Sequence, residues 1–163
     1  MRDFEPYTAF KRMDRRNTGY IDAESLTQFM RENGYRELEP ADFKQMIKYF
    51  DLDGDGLLSY HDFLQMLLPC DDAYLRAAAS QRPNNELPSN ELLPMRVERA
   101  LSQLIFKEVR LQIKSDIMKR ALENAYDYTV QKAFHAIDDW TYNYIDSNNL
   151  KRFLRSTGHV ANR

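Results

Sequence analysis

The sequence is poor in cysteine, in glycine and in long apolar runs, and these shortages exclude several classes of protein. Its single cysteine, Cys70, excludes an internal disulfide framework and is typical of a reducing compartment. Its apolar runs fall far short of the roughly 20 residues that a membrane-spanning helix needs. The net charge of −2 gives no electrostatic reason to expect a nucleic-acid partner. Because the charged N-terminus also lacks an apolar run, we expect a cytoplasmic, globular and mainly helical protein.

An internal repeat is the first positive signal. The pattern that begins at Ile21 returns 124 residues later at Ile145, with Asp, Leu, Phe, Arg and Gly at matching positions. This agreement in register favours a duplicated structural unit. In both copies a glycine, Gly34 or Gly158, follows the helical pattern, at the place where a helix C-cap is expected.

An acidic segment of twelve residues, 51–62, lies between two apolar stretches of helical periodicity. Asp at positions one, three and five and Gly at position six reproduce the ligand order and the sharp turn of a calcium-binding loop. Position seven can offer its backbone carbonyl, position nine can act through a water molecule, and position twelve can close the ligand shell. The predicted metal ligands are Asp51, Asp53, Asp55, Leu57, Ser59 and Asp62.

This segment resembles the loops of the EF-hand superfamily, which includes calmodulin, troponin C and the centrins. The resemblance implies an all-α fold of paired helix–loop–helix units, with Ca²⁺ as the cofactor and Mg²⁺ possible. Position twelve departs from the family pattern, because Asp62 stands where the strongest loops have glutamate. Aspartate is one methylene shorter, so bidentate closure is harder. We therefore expect weak calcium binding, at or beyond the weak end of roughly 10⁻⁷–10⁻⁵ M, with Mg²⁺ competing.

Two further segments keep the loop pattern but lose ligands. By the spacing of the family, residues 14–25 pair with residues 51–62, yet Arg16 and Ser25 stand at positions three and twelve. We expect no cation in this first loop. We do expect a short antiparallel pairing between its Ile21 and Leu58 of the second loop, because both occupy position eight.

The third segment, residues 138–149, is the repeat of the first. Trp140 and Tyr142 occupy ligand positions, Asn149 occupies the closing position, and Asn143 replaces the glycine, which asparagine can do because it tolerates positive φ. We expect no cation here. Since this unit matches the first member of a pair and no second member follows, we expect a segment of a longer chain or a protein that completes the pair with another molecule.

Residues 95–126 contain no glycine or proline and predict one long helix after a linker rich in proline and asparagine. Two apolar stripes, from Val97 to Ala125 and from Phe106 to Ile117, indicate contacts on two sides. The helix can pack on its own EF-hand lobe or serve as an arm for a partner. The predicted organisation is an EF-hand pair over 1–80, the linker over 81–94, the long helix over 95–126 and an unpaired degenerate EF-hand over 127–163.

Two functions fit this organisation. In a sensor, the cation opens a groove for a partner helix. In a structural protein, the groove is permanently filled and the cation stiffens the lobe. One intact loop of three favours the structural role with residual calcium sensitivity, and the third unit and the long helix are the expected contacts for a protein partner, another copy or another segment. The predicted groove residues are Phe10, Phe29, Met30, Met46 and Phe63.

A looser resemblance links the alternation of degenerate hands and long helices to multi-EF-hand cytoskeletal and axonemal proteins of ciliates. It implies a cytoskeletal or ciliary location. The sequence contains neither a phosphate-binding glycine loop nor a nucleophile elbow, so we do not expect an enzyme.

Overall fold

A computed structural model describes residues 4–69, 71–83 and 91–159. The described residues form eight α-helices, which confirms the predicted all-α class. None of these helices combines the length and apolarity that crossing a bilayer requires. Cys70 and residues 84–90 of the predicted linker lie outside the described residues. The helices are α1 (Pro6–Met13), α2 (Ala23–Glu32), α3 (Pro40–Phe50), α4 (Tyr60–Leu67), α5 (Ala73–Ser80), α6 (Met95–Glu123), α7 (Val130–Ile137) and α8 (Ser147–Ser156).

Glycine ends two of these helices as predicted. After α2, Gly34 has a φ of +91°, and the N–H of Tyr35 donates to the carbonyl of Met30 over 2.9 Å. After α8, Gly158 has a φ of +82°, and the N–H of His159 repeats the same bond. A side chain is strained at such angles, so glycine is the residue that lets the chain turn away from the last helical carbonyls.

The chain divides into two compact units, Met1–Ser115 and Asp116–Arg163. In the first unit α1 packs against α4, and α2 packs against α3. Ile21 and Leu58 exchange two backbone N–H···O bonds of 2.9 Å each, which confirms the predicted pairing of the two loops. In the same unit Phe10 of α1 packs edge to face against Phe63 of α4, with 5.5 Å between ring centroids.

The first turns of α6 belong to the same core. A stripe of buried apolar side chains, spaced four residues apart, joins the core cluster of the EF-hand pair. Leu104 and Leu111, which the sequence assigned to a stripe with Val97, are exposed instead. The spacing of four corresponds to a ridge that packs on a globular lobe, whereas the predicted alternation of four and three describes a coiled-coil seam. The buried stripe consists of Val97, Leu101, Ile105 and Val109.

A buried polar network fixes the start of α6 on the lobe. Glu98 accepts from Arg12 Nε over 2.6 Å, from Asn33 Nδ2 over 2.8 Å and from the backbone N–H of Leu93 over 3.0 Å. The same arginine donates to Glu32 over 2.8 Å. Since each buried charge is paired, the network sets the register of α6 against α1 and α2. It also draws the end of the predicted linker into the core, so the two compact units divide within α6 and not at the linker.

The second unit contains a single helix–loop–helix. Its helices α7 and α8 pack against each other. The long helix ends at Glu123, three residues before the predicted end. In the intervening loop Asn143 has a φ of +62°, so asparagine takes the left-handed conformation that was predicted for it.

Candidate metal centre

The loop between α3 and α4 is folded around its first carboxylate. Asp51 accepts a hydrogen bond from the N–H of Gly54 over 2.7 Å and another from the N–H of Gly56 over 2.8 Å. Gly56, at position six, has a φ of +82°, a conformation that favours glycine. The sharp turn is therefore held by backbone groups of the loop itself.

Three carboxylates converge inside this turn. Asp51, Asp53 and Asp55 each place one oxygen within 4.8 Å of the others. The N–H of Leu57 donates to Asp55 over 2.8 Å, which fixes the orientation of that carboxylate. Elsewhere in the described part of the chain no three side chains of metal-ligating type meet in this way. Carboxylate oxygens are the ligands that hard cations such as Ca²⁺ and Mg²⁺ prefer, so the donor set fits such an ion.

The carboxylates of this cluster are electrostatically unequal. Hydrogen bonds from Gly56 and Gly54 hold the pKa of Asp51 below its usual value. The hydrogen bond from Asp55 acts to lower the pKa of Asp53, but the neighbouring carboxylates outweigh it and raise that pKa. Crowded negative charge of this kind is relieved by a bound dication.

The carboxylate of Asp62, the predicted closing ligand, is not part of this cluster of three. Asp62 is 4% exposed and accepts from the N–H of Ser59 over 3.0 Å and from its hydroxyl over 2.6 Å. The hydroxyl accepts in turn from the N–H of Asp62, so the two residues form the capping box of α4. Leu57, at position seven, is half-buried. Of the six predicted ligands, the structure brings together the first three.

In the first loop an arginine side chain supplies the positive charge that a metal ion would bring. Asp14 accepts from the N–H groups of Thr18 and Gly19, at loop positions five and six, whereas Asp51 accepts from positions four and six of its own loop. Arg16, at position three, forms an ion pair with Asp22 at position nine. Burial acts to raise the pKa of Asp22, but hydrogen bonds and the guanidinium charge lower it overall. A guanidinium therefore spans two positions that would otherwise face a metal ion.

The third loop presents aromatic rings where ligands would stand. Asp138 again accepts from two backbone N–H groups, those of Tyr142 and Asn143, over 3.0 Å and 2.7 Å. Arg152 lies 5.4 Å from the centre of the Trp140 ring and forms an ion pair with Asp139. The loop is folded in the EF-hand manner, but positions three and five offer rings instead of oxygen ligands.

The predicted groove residues all lie in the core. Each of the five is at most 2% exposed, and all share one cluster with the buried stripe of α6. In this conformation no side chain of the set is available to a partner. The set is Phe10, Phe29, Met30, Met46 and Phe63.

Sequence reasoning missed the residues that attach α6. Ile105 could have been found by testing a period of four from Val97 onward. Arg12 and Glu98 carry no such signal, because charged residues in helices are ordinarily exposed and their pairing depends on which helices meet.

Comparison with known proteins agrees with this geometry. A family model for an EF-hand domain pair matches residues 5–68. Calcium-dependent protein kinase 34 of Arabidopsis thaliana is 39% identical over 61 residues, which is 37% of this chain and 11% of the kinase. Troponin C, isoform 2, of Caenorhabditis elegans is 38% identical over 58 residues, 36% of each protein. Probable calcium-binding protein CML14 of Arabidopsis thaliana is 32% identical over 60 residues, 37% of this chain and 40% of that protein.

No solved structure matches the chain. The matched region spans between 11% and 40% of these relatives' own length, and the kinase is matched only over its EF-hand region. The paired loops, the acidic cluster and the family model together define the class of this region: residues 5–68 form an EF-hand domain pair. This region is similar to part of troponin C, and its acidic loop indicates Ca²⁺ as the cofactor.

Proposed function

We propose that the chain is a structural calcium-binding component in which the EF-hand pair holds the chain's own long helix. Calcium then stiffens the lobe and does not open it. In this proposal the ion takes its ligands from the cluster of three aspartates, completed by the carbonyl of Leu57, by Ser59 through a water molecule and by Asp62. The chain has no catalytic role.

The burial of α6 is the observation that carries the proposal. A partner helix that entered the groove would have to displace the four apolar side chains of the α6 stripe. Burying one such side chain is worth about 1.5–3 kcal/mol, so the four together contribute on the order of 6–12 kcal/mol. A cation at a hundredfold excess over its dissociation constant supplies only about 2.7 kcal/mol. Because the second energy is smaller than the first, calcium binding alone does not release the helix.

The organisation expected from the sequence belongs to the same proposal. The lobe spans residues 1–80, residues 81–94 connect it to the helix over 95–126, and the third hand lies within 127–163. The exposed part of the helix and the third hand serve a protein partner, another copy or another segment. A cytoplasmic location on a cytoskeletal or ciliary structure follows from the looser resemblance, and cosedimentation with polymerised tubulin, with and without calcium, tests it.

Binding of a hydrophobic dye tests the filled groove. The wild-type chain should give the same dye fluorescence with calcium and with a chelator. Leu101→Glu puts a charge into the buried stripe and should raise the fluorescence by uncovering the groove, whereas Leu104→Glu, at the exposed neighbouring position, should not. Circular dichroism checks that both variants keep their helices. A calcium-dependent rise in the wild-type chain would favour the sensor and count against the structural role.

A further inference from the structure

We propose that the third hand, α7 to α8, pairs with the third hand of a second copy of this chain, with Ile145 of each copy opposite Ile145 of the other. The first hand of the same molecule supplies the template. There Ile21, which occupies the same loop position, exchanges two backbone hydrogen bonds with Leu58. Within the residues that the structure describes, the N–H and carbonyl of Ile145 take no hydrogen bond.

The apolar side chains that follow Ile145 are exposed, whereas their counterparts after Ile21 are buried. Leu26 and Met30 of the first hand are both 0% exposed, because the second hand covers them. Their counterparts at the same positions, Leu150 and Leu154, are 44% and 39% exposed. The third hand thus keeps the apolar face of a paired hand and lacks the cover, so its partner has the shape of another EF-hand.

A second copy satisfies this requirement by symmetry. The exchange of two N–H···O bonds between opposite residues of an antiparallel pair is the same for both partners, so a two-fold axis can pass between two identical residues. Residues 116–159 also carry six acidic and six basic side chains, so net charge does not oppose their association with a copy of themselves.

The composition of the third loop indicates that this pairing does not need calcium. Two loops with carboxylates at positions three and five repel each other until cations bind. The third loop carries Trp140 and Tyr142 at those positions, and these rings lie 6.0 Å apart on an exposed surface with Tyr144 stacked beside them. Two copies of this loop can therefore adjoin without a metal ion, and the pairing does not depend on calcium.

Disulfide trapping tests the symmetric contact. In the 163-residue chain carrying Cys70→Ser, Ile145→Cys places one thiol on each side of the axis. Opposite Cα atoms at a hydrogen-bonded pair stand about 5.5 Å apart, within disulfide reach. Mild oxidation should give a covalent dimer, with and without calcium. Ser156→Cys, at the exposed end of α8, is the matched control and should remain largely monomeric. Equal cross-linking of both variants, or none at Ile145→Cys, overturns the proposal.

Sedimentation velocity of the unmodified chain provides the second measurement. The mass should rise with concentration from 19.3 kDa to twice that value, in calcium and in chelator alike. Leu154→Lys, at an already exposed position, should shift the dissociation constant at least tenfold, while Leu111→Lys on α6 should leave it unchanged. A monomer at every concentration, or a dimer that only Leu111→Lys weakens, overturns the proposal. The proposal rests on the proposed function only in giving the third hand to a partner, and the dye experiment on the groove can fail without affecting this result.

Discussion

At the scale of the residue, the aspartate at position one has the same task in all three loops. Asp14, Asp51 and Asp138 each accept hydrogen bonds from two backbone N–H groups of their own loop. These bonds need no metal, so they fold the turn whether or not the loop binds a cation. Affinity for the cation then depends on the other ligand positions, and single substitutions at those positions should change binding without changing the fold.

Position twelve of the second loop is one such position. Asp62→Glu should tighten calcium binding about tenfold, or about 1.4 kcal/mol, because the longer side chain reaches the ion with both oxygens. The cap of α4 is kept, since glutamate is the usual third residue of a capping box. Isothermal titration calorimetry measures the affinity. Asp62→Asn, which keeps an acceptor oxygen but removes the charge, should bind more weakly than the wild-type chain. Identical affinities in all three proteins would remove Asp62 from the ligand set.

The first loop offers the converse experiment. Arg16→Asp combined with Ser25→Glu replaces the internal guanidinium with a carboxylate and supplies the missing closing ligand. The turn is already held by Asp14, so the double variant should bind two calcium ions where the wild-type chain binds one. Calorimetric stoichiometry gives the count. Each single variant should still bind one ion, and a double variant that also binds one would show that the loop backbone lacks the required geometry.

At the scale of the element, the local patterns predicted the helix–loop–helix units but not the attachment of α6. The turn at Gly56, the cap at Gly34 and the pairing of the two loops each depend on residues close in sequence or on a fixed loop position. The buried stripe of α6 was harder to predict. A constant spacing of four residues and an alternation of four and three residues both include Val97 and Leu101, and they differ only from the next turn onward. There the lobe selects Ile105, and this choice depends on the shape of a surface distant in sequence.

The ligand set shows the same division. The sequence placed three carboxylates in one turn, and the structure brings them together. The alignment to the twelve-residue loop gave Ser59 and Asp62 only a metal-binding role. Their Ser-x-x-Asp spacing is also that of a capping box at the start of α4, and the structure uses them in that second role. One pattern carried two physical meanings, and loop spacing alone could not separate them.

The buried ion pair between α1 and α6 can be tested through stability. Glu98→Ala leaves the guanidinium of Arg12 buried with one partner fewer, and it should lower the free energy of unfolding by roughly 3 kcal/mol. The double variant Arg12→Met and Glu98→Leu replaces both charges with apolar side chains and should cost much less than the sum of the two single changes. Urea denaturation compares the wild-type chain, Arg12→Met, Glu98→Leu and the double variant. Additive losses would mean that the two residues act independently.

At the scale of the whole molecule, the three loops are alike in backbone and unlike in purpose. The first is held by an internal ion pair and pairs with the second, which carries the acidic cluster. The third has an aromatic surface and no paired loop among the described residues. We expect a molecule built in this way to respond to calcium at the second loop, and the response should be confined to the unit that contains that loop.

Hydrogen exchange read by mass spectrometry can locate this response. At a calcium concentration a hundredfold above the dissociation constant, binding should stabilise the first unit by about 2.7 kcal/mol. The slowest amides of residues 23–67 should then exchange up to about a hundredfold more slowly, because they exchange only when the unit opens. Amides of residues 130–156 serve as an internal reference, since their loop lacks oxygen ligands at positions three and five. Asp53→Asn removes one ligand and relieves the crowding around the others, so this variant should fold and yet lose the protection that calcium gives. An equal gain of protection in residues 130–156 would contradict the assignment of a single cation site.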